Sequence, residues 1–108
     1  MDAFRNKLTK LDVSKCPKLK RLDIWDNPSL GSINLGNNPG LQYYNCANNN
    51  ATSINVTENP ELQKLICSYN KIRTLDVTKN PKLVYLDCAC NQISRLNASE
   101  QVPDIASY

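Results

Sequence analysis

The chain has 108 residues, 13 Lys and Arg against 10 Asp and Glu, and only 6% aromatic residues. Its net charge of +3 comes with no run of five basic residues, which argues against nucleic acid or an anionic membrane as the main partner. No apolar stretch approaches membrane-spanning length, and Met1–Lys7 lacks the apolar core of a signal peptide.

Residues 1–7, with Phe4, read as an N-terminal flank or partial cap. From Leu8 two short patterns alternate. The first runs through Leu8–Val13, Leu30–Leu35, Ala51–Val56, Ile72–Val77 and Ile93–Ala98. In its first four copies it is followed three residues later by Cys16, Asn38, Asn59 or Asn80, each before a proline. The second pattern runs through Leu19–Asn27, Leu41–Asn49, Leu62–Asn70 and Leu83–Asn91, and reads Leu-x-x-(Leu/Tyr)-x-(Ile/Cys)-x-x-Asn. Its closing asparagines are 22, 21 and 21 residues apart. The last ten residues, 99–108, read as a C-terminal flank or partial cap carrying Val102, Pro103, Ile105 and Tyr108.

A period of about 21 residues is the mark of a solenoid, in which each turn buries a few apolar side chains against its neighbours. Alternation such as Leu-x-Cys predicts a short strand with one face inward. Proline after the turn residue holds the residue before it extended and stops a helix. The expected fold is mostly β: a solenoid over residues 8–98 of about four and a half turns, two short strands per turn, little or no helix and low curvature. Low curvature follows because the two sides carry segments of nearly equal length. Asn27, Asn49, Asn70 and Asn91, with Asn38, Asn59 and Asn80, are expected to form ladders, since each amide can donate and accept.

This pattern resembles the leucine-rich-repeat family, and most closely its short 21-residue bacterial class, sometimes called IRREKO. The units ending at Asn70 and Asn91 carry the resemblance, which extends from Leu8 to Ala98. Tyr44 in place of Leu, Ala51 as a small apolar residue and Cys16 in place of a turn Asn depart from it. The resemblance implies a non-catalytic recognition or scaffold role and an extracellular or cell-surface location.

Cys46, Cys67 and Cys88 share an inward column and read as small buried hydrophobes. There is no histidine and no Cys-x-x-Cys pair, so no metal site, cofactor or catalytic constellation is expected. Cys88 is inward, and Cys90 beyond it is expected to be exposed. The outward columns of the second pattern are the candidate partner-binding face: Arg21, Tyr43, Lys64 and Tyr85; Asp23, Asn45, Ile66 and Asp87; then Trp25 and Tyr69. Tyr and Trp are enriched at binding hot spots, so Trp25, Tyr43, Tyr69 and Tyr85 read as anchors for a protein or peptide, oriented by the charges. The same aromatics also serve cross-strand packing.

Two alternatives stand beside this reading. Open solenoid ends present unpaired strand edges, which would make the chain a structural or self-assembling piece, for instance a homodimer. The opposite face, with rows of Ser, Thr, Asn and Asp, would suit carbohydrate. Three sequons, at Asn50, Asn55 and Asn97, arise readily by chance in so Asn-rich a repeat.

Overall fold

The structure is a computed structural model and describes residues 1–14, 16–97 and 104–106. It is a β-solenoid of about four turns with no helix among the described residues. Strands β1 (Arg21–Asp23), β2 (Tyr43–Asn45), β3 (Lys64–Ile66), β5 (Tyr85–Asp87) and β7 (Asp104–Ala106) form one parallel sheet in the order β1-β2-β3-β5-β7. Strands β4 (Thr74–Asp76) and β6 (Arg95–Asn97) pair on the opposite side. Equal repeats give an in-register stack: Leu22 lies beside Tyr44, Tyr44 beside Leu65, Leu65 beside Leu86, and Leu86 beside Ile105. Turn-to-turn bonds continue past the strands, as Asp26 N–H to Ala47 O, Asn48 N–H to Ser68 O and Tyr69 N–H to Ala89 O.

The expectation of two strands per turn holds only where β4 meets β6. In the earlier turns the second side carries no ladder among the described residues. The cause is local chemistry. Backbone N–H groups of Thr52 and Ser53 donate to the Ser32 hydroxyl rather than to a carbonyl of the neighbouring turn. Gly31 and Gly36 take positive φ angles of 69° and 67°, which breaks the extended run. At Gly36 a Cβ would also lie 3.0 Å from the Ser14 Cβ.

The core lies between the two sides. Leu22, Ile24, Leu41, Leu62, Leu65, Ile72, Leu75, Leu83 and Leu86 are fully buried, each contributing roughly 1.5–3 kcal/mol. Leu8, Leu11 and Leu19 at one end, and Ile93 and Leu96 at the other, are only partly buried, because fewer turns cover them. Tyr44 is buried at a Leu position, and its hydroxyl hydrogen-bonds with the Cys46 thiol, so the polar atom is not stranded.

Residues 1–5 extend the main sheet. The Met1 amino group donates to Arg21 O, Asp23 N–H donates to Met1 O, Ala3 N–H to Asp23 O and Arg5 N–H to Trp25 O. At the other end β7 lies in register on β5, so residues 104–106 continue the sheet rather than flank it. Ala98 and residues 99–103, 107 and 108 of the expected solenoid end and cap, with Val102, Pro103 and Tyr108, lie outside the described residues.

Two asparagine ladders tie the turns together. On the strand-exit side, Asn70 Oδ1 accepts from Asn49 N–H and Ala51 N–H, while its Nδ2 donates to the carbonyls of Cys46, Cys67 and Ser68. Asn27 behaves alike toward residues 3–8, Asn49 Oδ1 accepts from Asn27 N–H, and Asn91 serves Ile72, Cys67, Cys88 and Ala89. On the other side, Asn38, Asn59 and Asn80 donate through Nδ2 to carbonyls of their own or the preceding turn.

Candidate interaction face

Strands β1, β2, β3 and β5 each bury their central residue, and the residue before it sets Arg21, Tyr43, Lys64 and Tyr85 in one outward column. Cations and rings alternate along it and touch. The Arg21 guanidinium lies 4.0 Å from the Tyr43 ring centroid. The Lys64 ammonium lies 5.7 Å from Tyr43 and 4.7 Å from Tyr85. Contacts of this kind contribute about 0.5–1 kcal/mol each when exposed, enough to fix side-chain positions more than to hold the fold. Arg21 Nε also donates to Asp23 Oδ2 at 2.7 Å, which holds the guanidinium more firmly charged. Partial burial raises the Tyr43 hydroxyl above its usual pKa, so it stays protonated.

The second column is less available than its spacing suggests. Asp23, expected as an outward orienting charge, is buried, because residues 1–3 bond across it and Arg21 closes over its carboxylate. Asn45 and Asp87 are half-buried and turn Oδ1 back to Ala47 N–H and Ala89 N–H. Ile66 is half-buried between them.

Trp25 is engaged by the N-terminal residues. The Phe4 ring stacks on it at 5.0 Å and 6°, and the Arg5 guanidinium sits 5.2 Å from its centroid. Arg5 also lies 3.7 Å from Asp26. Tyr69 is exposed and stands apart from the cation–ring column. It takes a φ of 55°, in a row with Asp26, Asn48 and Cys90, which all have positive φ. The Cys90 thiol beside its hydroxyl raises the Tyr69 pKa.

The face thus brings Arg21, Tyr43, Lys64 and Tyr85 together, and sets Trp25 under Phe4. Spacing alone overlooked Phe4, Arg5, Lys20 and the exposed Val84. Lys20 and Val84 were readable as the first x of Leu-x-x-Leu, which also points outward. Phe4 and Arg5 lie before the first repeat, so no periodic signal marks them.

All five cysteines are free thiols. Burial pushes Cys46 from the usual 9.0 to about 12 and raises Cys67 and Cys88 as well. These three are therefore protonated at neutral pH and poor nucleophiles or ligands. On the opposite side part of the polar rows is spent within its own turn, and Ser32 is spent on Thr52 and Ser53 of the next. Asp12 Oδ1 accepts from Ser14, Asn55 Oδ1 from Thr57 and Asp76 Oδ1 from Thr78, in each case from N–H and hydroxyl. The Thr78 hydroxyl lowers the Asp76 pKa.

Parallel in-register strands, stacked leucines and closing asparagines define a repeat solenoid, and comparison with known proteins gives its class. Residues 60–101 match the family model of leucine rich repeats (2 copies). No curated protein matches the sequence. Among solved structures, the chain is similar to the functional domain of InlJ from Listeria monocytogenes, described as including a cysteine ladder. The TM-score is 0.76 at 21% identity, over 99% of this chain and 34% of that one, so the chain spans about a third of that domain's length. Residues 60–101 are thus similar to leucine-rich repeats, and the chain as a whole shares the fold of that neighbour. Such repeats generally mediate protein–protein interaction and are typically non-catalytic.

Proposed function

We propose that this chain is a non-catalytic recognition module that binds a protein or peptide through the outward face of β1, β2, β3 and β5. The column Arg21–Tyr43–Lys64–Tyr85 carries the reading. Its four side chains hold one another in place, so little side-chain freedom is lost when a partner docks. A non-catalytic role is supported by the state of the core thiols, which burial keeps protonated. The likeness to leucine-rich-repeat proteins, with a 21-residue unit compatible with the short bacterial class, favours an extracellular or cell-surface setting.

The test is capture of binding proteins from native material by the immobilised chain and by a Tyr43→Ala, Tyr85→Ala double variant. Capture should fall at least tenfold while the urea midpoint moves little, since both rings are partly exposed. Equal capture by the variant would overturn the reading.

Self-association is a second reading with its own observation. The fully buried Leu22–Leu86 column ends on Ile105, which is 40% exposed on β7, and Met1 is 48% exposed at the opposite edge. End-to-end stacking would cover both. A single sedimenting mass over a hundredfold concentration range would remove it.

A further inference from the structure

The alternation in the exposed column has a period, and the period selects a partner. Adjacent parallel strands lie about 4.8 Å apart, so Arg21 and Lys64, two turns apart, repeat at about 9.6 Å, as do Tyr43 and Tyr85. An α-helix lying along the stack repeats every 5.4 Å and a β-strand about every 6.8 Å, so neither matches. A polyproline II segment has three residues per turn and a rise of 3.1 Å, so every third side chain returns to the same side after about 9.3 Å. Over one such period the mismatch is a few tenths of an ångström, within the reach of a Lys or Arg side chain.

The chemistry of the column sets what those side chains are. Each cation flanks a ring along the stack. Arg21 spends Nε on Asp23, leaving its other N–H groups to donate. Lys64 is exposed and forms no ion pair among the described residues. Lys20 is exposed beside this column, on the strand-entry side. Over β1 to β3 what faces a ligand is therefore positive and rich in donors, while Asp87 is half-buried in the next column and Asp104 stands in register beside Tyr85 on β7. A polyproline II chain has no internal hydrogen bonds, so its carbonyls are free to accept, and carboxylates at every third residue would meet Arg21 and Lys64.

We infer that the column Arg21–Tyr43–Lys64–Tyr85 binds an acidic polyproline II segment running along the stack, with a carboxylate at every third residue. This rests on the reading of the same face as the recognition surface, and adds the class of its partner. Both sides are ordered before they meet, which limits the entropy lost on binding. Charge attraction makes the contact weaken with salt.

The experiment uses fluorescein-labelled peptides of equal length, titrated into the full chain and followed by anisotropy. One is four repeats of Glu-Pro-Pro; a second has the same residues with the glutamates placed at alternate positions; a third replaces Glu with Gln. The first should bind at least tenfold tighter than either of the others. Lys64→Gln and Arg21→Gln, both exposed and so expected to fold, should each weaken it several-fold. Equal binding of the first two peptides would overturn the spacing argument. No binding of either acidic peptide, or no effect of both substitutions, would overturn the proposal. If the face captures proteins in a Tyr43- and Tyr85-dependent way but the peptide neither binds nor competes, this inference fails and the recognition surface stands. If the peptide binds as expected while capture ignores Tyr43 and Tyr85, the protein-recognition reading fails instead.

Discussion

The two sides of this solenoid use the same residue for the same purpose and obtain different results. On the strand-exit side, Asn70 makes five hydrogen bonds with both ends of its amide. On the other side, Asn80 makes two, both as donor, and its Oδ1 is buried without a partner, as is that of Asn38. The backbone explains the difference. The N–H groups of Asn59 and Asn80 are spent on Val56 O and Val77 O of their own turns, and the next residue is proline, which has none. On the strand-exit side, by contrast, Asn49 N–H and Ala51 N–H remain available to the amide of the following turn. One ladder therefore links neighbouring turns in both directions, under a sheet that runs through five strands. The other mainly ties down carbonyls, beside a sheet of two.

The largest effect should separate these ladders. Asn70→Ala leaves several buried groups unpaired and should cost about 3 kcal/mol or more, given 1–3 kcal/mol for each unsatisfied group. Asn80→Ala removes two bonds and also an acceptor that had no partner, so it should cost no more than about 1–2 kcal/mol. Urea midpoints of the two variants decide this, and equal losses would refute the asymmetry.

Alkaline pH probes the core column beside the stronger ladder. Folding raises the pKa of Cys46 from 9.0 to about 12, and those of Cys67 and Cys88 also rise. Above pH 9 the unfolded chain loses these protons while the folded chain keeps them, so stability is complete below that value and falls as pH rises toward 12. Denaturation followed from pH 8 to 11 should show the decline, and a Cys46→Ala, Cys67→Ala, Cys88→Ala variant should decline less steeply. Parallel profiles would count against it.

A smaller effect should come from completing the weaker ladder. Cys16 has the turn bonds of Asn59 and Asn80: its N–H donates to Val13 O and its carbonyl accepts from Leu19 N–H. It lacks only the amide. Cys16→Asn should stabilise by about 0.5–1.5 kcal/mol, the usual net value of a hydrogen bond. A loss of stability would mean that its partly buried thiol matters more to packing than the missing donors do.

Much of this architecture was legible because a repeat of fixed length leaves little freedom. Leu62 to Asn70 and Leu83 to Asn91 state the register outright: one residue of slip would turn Leu65 and Cys67 to solvent. The membership of the column Arg21, Tyr43, Lys64 and Tyr85 follows from the same count. The failures lie where the period has no grip. Asp23 sits in an outward position, yet residues 1–5, which belong to no repeat, pair with β1 and cover it. The stacking of Phe4 on Trp25 was hidden for that reason. The missing strands on the second side depend on whether the Ser32 hydroxyl or a carbonyl takes two N–H groups, a competition of about equal energies that no pattern of apolar residues records.

By itself the amino-acid sequence determined the class of fold, the inward columns and the positions of both ladders, because alternation and a 21-residue period leave one way to bury the leucines. Only the tertiary structure decided how each ladder is satisfied, which outward residues remain open, and that cations and rings interlock along the stack. Those outcomes depend on competition among hydrogen-bonding groups and on segments outside the repeat. Both are settled by distances in space rather than by spacing along the chain.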